Sequence, residues 1–152
     1  MLVYRIGKTR FARDITGEGA RLNGGRWNNV GTACIYTSES RALAVLEFTV
    51  NVNIDDIPRA LSITTFEIPD SGIYQLKVAD LPGDWRNIPA PSSTKDFGTI
   101  LLTDSAIHII KVPSTVIIEE YNYLINPIHA NNKNIRIVDV KDFVYDVRIK
   151  LK

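Results

Sequence analysis

Glu47 is the residue whose type fits its neighbours least. It lies in ALAVLEFTV, residues 42–50, a stretch apolar nearly all round and so expected to form a buried helix, where an ionised carboxylate is costly. Leu43, Glu47 and Val50 share a face at helical spacing, which points the acid among apolar groups or into a cavity they line. Two readings stand open. At a helix edge Glu47 would pair with an arginine; facing a cleft it would meet a substrate cation or hydroxyl. A second chemical feature is GEGARLNGGRWNN, residues 17–29. Its small residues allow close backbone approach to a ligand, and Arg26 with Trp27 offers a guanidinium beside a flat apolar face, a combination suited to anion capture. Equally, Gly24 and Gly25 could supply only positive φ for a tight turn while Trp27 plugs the core. No Gly-Lys-Ser/Thr follows, as a Walker loop needs, and the flanking strand and helix stand at the wrong distances for a dinucleotide fingerprint.

Other residues carry weaker signals. Tyr36 ends an expected strand, where its ring could stack on a base or simply cap the core. Arg5, in an apolar strand, needs an anionic partner unless it snorkels from an edge. Ser114, after Pro113, reads as a turn hydroxyl or a site donor. His129 lacks a recognisable nucleophile and orienter, so it reads as a loop histidine, and His108 as part of a strand face. Cys34 has no basic neighbour and reads as a small core residue. Asp55/Asp56 and Glu119/Glu120 read as solvated ends of elements rather than metal ligands.

These side chains must be positioned by a single domain, since 152 residues, 45% of them hydrophobic, suffice for one core and not for two. Eighteen Lys plus Arg against seventeen Asp plus Glu give a net charge of +1, so no direct nucleic-acid binding is expected. One cysteine and two histidines cannot make an intramolecular disulfide or a structural zinc site, which favours a reducing cytoplasm. No apolar run is long enough for a signal core or a span, so no membrane association is expected.

Strands are expected at Leu2–Ile6, Thr32–Thr37, Leu61–Ile68, Ile73–Val78, Ala106–Val112, Thr115–Glu119, Ile135–Asp139 and Tyr145–Ile149. The third and fourth, joined by the turn Pro69–Gly72, suggest a hairpin. Ser38 is expected to cap a helix from Glu39 to about Val52, and Ser93 a short one to about Asp104. The glycine-rich stretch between the first two strands reads as a long shaped loop. Strands outnumber helices without βαβ alternation, so the expected class is α+β with a mixed or mostly antiparallel sheet.

Taken together, Arg5, the Gly17–Asn28 segment, Gly31, Tyr36, Ala44 with Glu47, DLPGDWR at 80–86, VPS at 112–114 and NYLINPIH at 122–129 resemble the RES-domain family along nearly the whole chain. The resemblance implies an ADP-ribosyltransferase-like fold over residues 1–152 and the toxin half of a bacterial toxin–antitoxin pair. It implies NAD as substrate, destroyed by phosphorolysis or hydrolysis, with inorganic phosphate as a candidate co-substrate and no cofactor or metal. By that resemblance Arg26, with Arg5 and the Gly24/Gly25 backbone, would hold the pyrophosphate or an attacking phosphate. Tyr36 would stack on the nicotinamide side, Glu47 would stabilise positive charge on the ribose, and Ser114 would bond near that ribose or the nucleophile. The implied partners are an Xre-like helix-turn-helix antitoxin masking the cleft and a second toxin copy in a homodimer. Transfer of ADP-ribose to a protein and a non-catalytic interaction domain are the competing expectations.

Overall fold

A computed structural model describes residues 1–150. These residues form one α+β domain with a seven-stranded mixed sheet and three helices. The strands are β1 (Leu2–Lys8), β2 (Ile35–Ser38), β3 (Leu61–Glu67), β4 (Ile73–Gln75), β5 (Ile109–Pro113), β6 (Tyr121–Ile125) and β7 (Arg136–Phe143). Their order across the sheet is β4-β5-β6-β2-β1-β3-β7, and every neighbouring pair is antiparallel except β4 with β5. The helices are α1 (Glu18–Asn23), α2 (Arg41–Asn51) and α3 (Ser92–Thr103).

Strand alternation divides the core in two. On one face Ile110, Val112 and Leu124 pack with Trp27, Cys34, Trp85 and Leu102. Trp27 stacks against Trp85 at 6.2 Å and meets Phe97 of α3 at 6.4 Å. On the other face Val3, Ile35, Phe66, Ile109, Tyr123 and Ile125 pack with Ile68 and Ile135 from connecting segments. Cys34 is a buried core residue, and burial pushes its thiol well up.

Several expectations need correction. The glycine-rich stretch is not loop throughout, because α1 forms inside it, tied down by bonds from Gly31 N–H to the Arg21 carbonyl and from Asn28 Nδ2 to the Ala20 carbonyl. Bonds from residues outside it, rather than its own six-residue length, hold this helix in place. Ser38 ends β2 instead of capping α2; Ser40 is the cap, its Oγ accepting from Leu43 N–H at 3.0 Å. Helix α2 is less buried than its apolar sequence implies: only Leu43 and Ala44 are fully covered, and Val50 is 59% exposed. It packs mainly against β1 and β2, and Tyr145 covers its C-terminal half, the Tyr145 ring 5.8 Å from Phe48 and its hydroxyl 2.8 Å from that of Thr49.

Nor do β3 and β4 form a hairpin. Both flanks of β3 are taken by β1 and β7, and β4 crosses to the far edge to pair in parallel with β5. Thr115–Glu119 is a loop, not a strand. The Ser114 hydroxyl accepts from Val116 and Ile117 N–H and Ser114 N–H bonds the Glu120 carbonyl, which closes a turn joining β5 to β6. Ser93 does not cap α3; Pro91 stands at the cap, and the Ser93 hydroxyl donates to Asp84. Tyr145–Ile149 makes no strand, and its Val147–Ile149 portion is a single 3-10 turn opened by Asp146 accepting from Arg148 N–H.

Helix α3 lies directly on the backbone of the segment before β2. A Cβ on Gly98 would sit 2.0 Å from the Trp27 carbonyl oxygen. Gly98→Ala is therefore expected to lower stability by about 1–3 kcal/mol, as overpacking of a tight core does. Gly7, with nothing within 4 Å of its ideal Cβ, is the control. Denaturant unfolding of the two alanine variants checks this, and equal midpoints would contradict the close approach.

Candidate active site

Glu47 lies on α2, half-buried, with its side chain turned toward β6 and the turn that follows β5. Its Oε1 accepts two hydrogen bonds, from Ser114 Oγ at 2.7 Å and from Asn122 Nδ2 at 2.6 Å. Ser114 is fully buried, and Asn122 in turn accepts from the Ser38 hydroxyl at 2.7 Å. Ser38 and Asn122 are register partners on β2 and β6, so both project from the same side of the sheet.

Two positions before Ser38, Tyr36 projects from that same side. Its hydroxyl donates to Asn28 Oδ1 at 2.6 Å and accepts from Trp27 N–H at 3.0 Å. Burial raises the phenol well above its ordinary range, so the group is a neutral donor. Asn28 is completely buried, and its Nδ2 faces the carbonyls of Ala20, Asn29 and Thr32. Gly24 takes φ 70°, and its N–H bonds the Ala20 carbonyl. Gly25 is required for another reason: a Cβ there would lie 2.6 Å from the Tyr36 hydroxyl and 2.9 Å from Asn28 Oδ1.

Arg26 leaves this knot toward the 82–91 segment, where its NH1 donates to the Trp85 carbonyl at 2.8 Å and to the Asn87 carbonyl at 3.0 Å. Burial lowers the guanidinium from its ordinary range, while the negative charge of Glu47 opposes that shift. The two side chains therefore feel each other's charge across the same region, and Arg26 remains a cation. The structure thus gathers Arg26, Tyr36, Gly25, Glu47 and Ser114 on one side of the sheet.

The RES domain model matches residues 2–146. The chain belongs to the RES-domain family. Among its relatives, a protein of Yersinia enterocolitica named Toxin Res is 38% identical over 152 residues, covering 99% of this chain and all of that one. A protein of Sphingobium sp. named Prs ADP-ribosylating toxin is 37% identical over 145 residues, covering 93% of this chain and 90% of that one. The fold matches a chain of the Mycobacterium tuberculosis MbcT-MbcA toxin-antitoxin complex with a TM-score of 0.75 at 18% identity, over 94% of this chain and 84% of that one.

Not every expected residue of this RES domain joins the cluster. Arg5 pairs with Thr64 beside the Val3–Phe66 pair, so it projects from the opposite face of the sheet. Its NH2 donates to the carbonyls of Phe11, Ala12 and Asp14, and its guanidinium lies 5.0 Å from the centre of the Phe66 ring. That holds down the segment after β1. His108 and His129 stack at 4.8 Å and line a separate open pocket of about 340 Å³ with Pro69 and Gly72. Among the described residues no group of three metal-ligating side chains converges, and no helix is long and apolar enough to cross a membrane.

Asn122, Ser38 and Asn28 are polar residues at the centre of this site that the sequence did not single out as candidates. Asn122 stands in the NYLINPIH segment, but only strand alternation, which places it opposite Ser38, marks it as inward-facing. Gly25→Ala is expected to dislodge Tyr36 from Asn28, costing about 1–3 kcal/mol of stability by overpacking. Thermal unfolding of that variant checks the close approach; a wild-type midpoint would mean the loop has room to spare.

Proposed function

We propose that this protein is the toxin of a toxin–antitoxin pair and that it depletes NAD by breaking the N-glycosidic bond to nicotinamide. The observation that carries the reading is the Glu47 carboxylate, anchored through one oxygen and within the field of Arg26. When that bond breaks, its electron pair leaves with nicotinamide and positive charge develops on the ribose. A fixed carboxylate stabilises this charge more in the transition state than in the ground state. Phosphate or water then adds to the same sugar carbon, and water releases a proton.

The other groups divide the remaining work. Arg26 keeps the rest of its guanidinium donors for the pyrophosphate or the incoming phosphate, since only NH1 is bonded to backbone carbonyls. The Gly25 backbone lies alongside, and the Tyr36 ring forms the wall on which nicotinamide stacks. Arg5 acts from the other face, by holding the segment after β1. NAD is the substrate, and no cofactor or metal is required. We further propose an Xre-like helix-turn-helix antitoxin that covers the cleft, a homodimeric toxin, and action in the cytoplasm.

Glu47→Gln keeps the shape and removes the charge. Its nicotinamide release is expected to fall by roughly 3 kcal/mol of barrier, about 150-fold, as for one preorganised electrostatic contact. Unchanged release would remove Glu47 from the chemistry. Arg26→Lys loses the planar fork and is expected to raise the KM for NAD or phosphate; a variant with wild-type KM values would make Arg26 purely structural.

The name of the Sphingobium relative favours a second reading, transfer of ADP-ribose onto a protein through the same cation-like transition state. Incubation with NAD labelled in its adenylate half, with and without phosphate and with cell lysate, separates the outcomes. Label on a small phosphorylated or free ADP-ribose supports depletion, and label on a protein band supports transfer. A non-catalytic interaction domain would leave the label in NAD and would be as toxic on expression with Glu47→Ala as without it.

A further inference from the structure

We propose that Asn122 and Ser38 are positioning residues for Glu47, forming with Ser114 a hydrogen-bonded cradle that fixes Oε1 and presents Oε2 to the substrate. The proposal rests on the reading of Glu47 given above and concerns how its carboxylate is held. The need is physical. A glutamate on a half-exposed helix has several rotatable bonds and gains hydration by swinging outward, so an unanchored carboxylate would spend most of its time away from the sugar.

The direction of each bond follows from donor and acceptor counts. Ser114 Oγ accepts from Val116 N–H at 3.0 Å and from Ile117 N–H at 3.2 Å, so its one hydrogen is left for Glu47 Oε1. That hydroxyl is saturated and fully buried, with nothing left to offer a substrate. Asn122 Nδ2 donates to the same oxygen at 2.6 Å, and its Oδ1 faces the Ser38 hydroxyl at 2.7 Å. A flipped amide would turn an oxygen toward the carboxylate, so Ser38, by occupying Oδ1, selects the orientation that holds Glu47. Oε1 is taken by two charge-assisted bonds; among the described residues no side chain or N–H bonds Oε2. The cradle spans α2, β2, β6 and the turn after β5, so the sheet register itself sets the carboxylate's aim.

The test compares wild type with Asn122→Ala, Asn122→Asp and Ser38→Ala, reading kcat and KM for nicotinamide release, the melting temperature and a crystal structure of each. Asn122→Ala is expected to lower kcat roughly 10- to 100-fold with KM within twofold, because misplacement by about an ångström costs that much. Asn122→Asp keeps the volume but sets a second carboxylate against Glu47 at pH 8, so it is expected to lose at least as much. A residue that served only as filler would tolerate it. Ser38→Ala is expected to cost only a fewfold, since the amide is freed to flip but not removed. In the Asn122 variants the Glu47 carboxylate is expected to leave its wild-type position.

A well-folded Asn122→Ala with wild-type kcat, or one whose loss lies entirely in KM, overturns the proposal, the latter by making Asn122 a substrate contact. If the wild-type protein releases no nicotinamide, the functional reading fails on its own. The crystal structures then decide the cradle: a carboxylate that moves when Asn122 is shortened upholds it, and one that stays in place overturns it.

Discussion

One carboxylate oxygen, shared by a hydroxyl and an amide from different parts of the chain, is the contact on which the geometry of this RES domain turns. Ser114 comes from the turn after β5, Asn122 from β6, and Glu47 from the helix that follows β2. They meet only because β6 lies between β5 and β2, and because α2 doubles back over β1 and β2. The chain thereby solves a solvation problem. A negative charge on an otherwise apolar helix face is tolerable when two strong donors meet it, and the donors that stabilise it also aim it.

The second half of the site is built by the same logic from a different set of groups. Asn28, wholly buried, gathers three carbonyls with its nitrogen and the Tyr36 hydroxyl with its oxygen, turning a glycine-rich stretch into a rigid support. Trp27 locks that support into the core beneath α3, and Arg26 emerges from it already tied to two carbonyls. Side chains fixed in this way need not be ordered when a ligand arrives, which spares binding energy for the reacting centre. The glycines serve this rigidity: Gly24 by its positive φ, Gly25 by leaving space for a phenol and an amide.

The residues with unusual chemistry were legible in the sequence because each violates its local pattern: an acid in an apolar helix, an arginine after paired glycines. Their supports were not, because Asn122, Ser38 and Asn28 are ordinary polar residues until strand pairing aligns them. The fold divides similarly. Strands β1, β3, β4, β5 and β7 overlap runs that read as extended, whereas the parallel pairing of β4 with β5 is a long-range matter no local run encodes, and β6 (Tyr121–Ile125) falls outside the expected strands. The strand expected at Thr115–Glu119 failed because the Ser114 hydroxyl captures the two amides that extension would have left for a neighbour. Arg5 illustrates a further limit. A polar residue in an apolar strand is a sound pointer to a partner, but strand alternation sent it to the other face, where its partners are backbone carbonyls.

What the site lacks in free acid–base groups is as informative as what it holds. The Tyr36 hydroxyl and the Ser114 hydroxyl are both saturated, the phenol is held neutral, and the Cys34 thiol is buried and pushed up. The histidines stack on each other around a different pocket. Apart from Oε2 of Glu47, little remains among these groups that could carry a proton at the moment of reaction. The proposed cleavage, a bond breaking toward a sugar cation, would make small demands of that kind, since nicotinamide would depart neutral and the cation would accept even a weak nucleophile. Electrostatic placement of one carboxylate and one guanidinium would supply what that proposed chemistry requires, and hydroxyls committed to scaffolding are consistent with it.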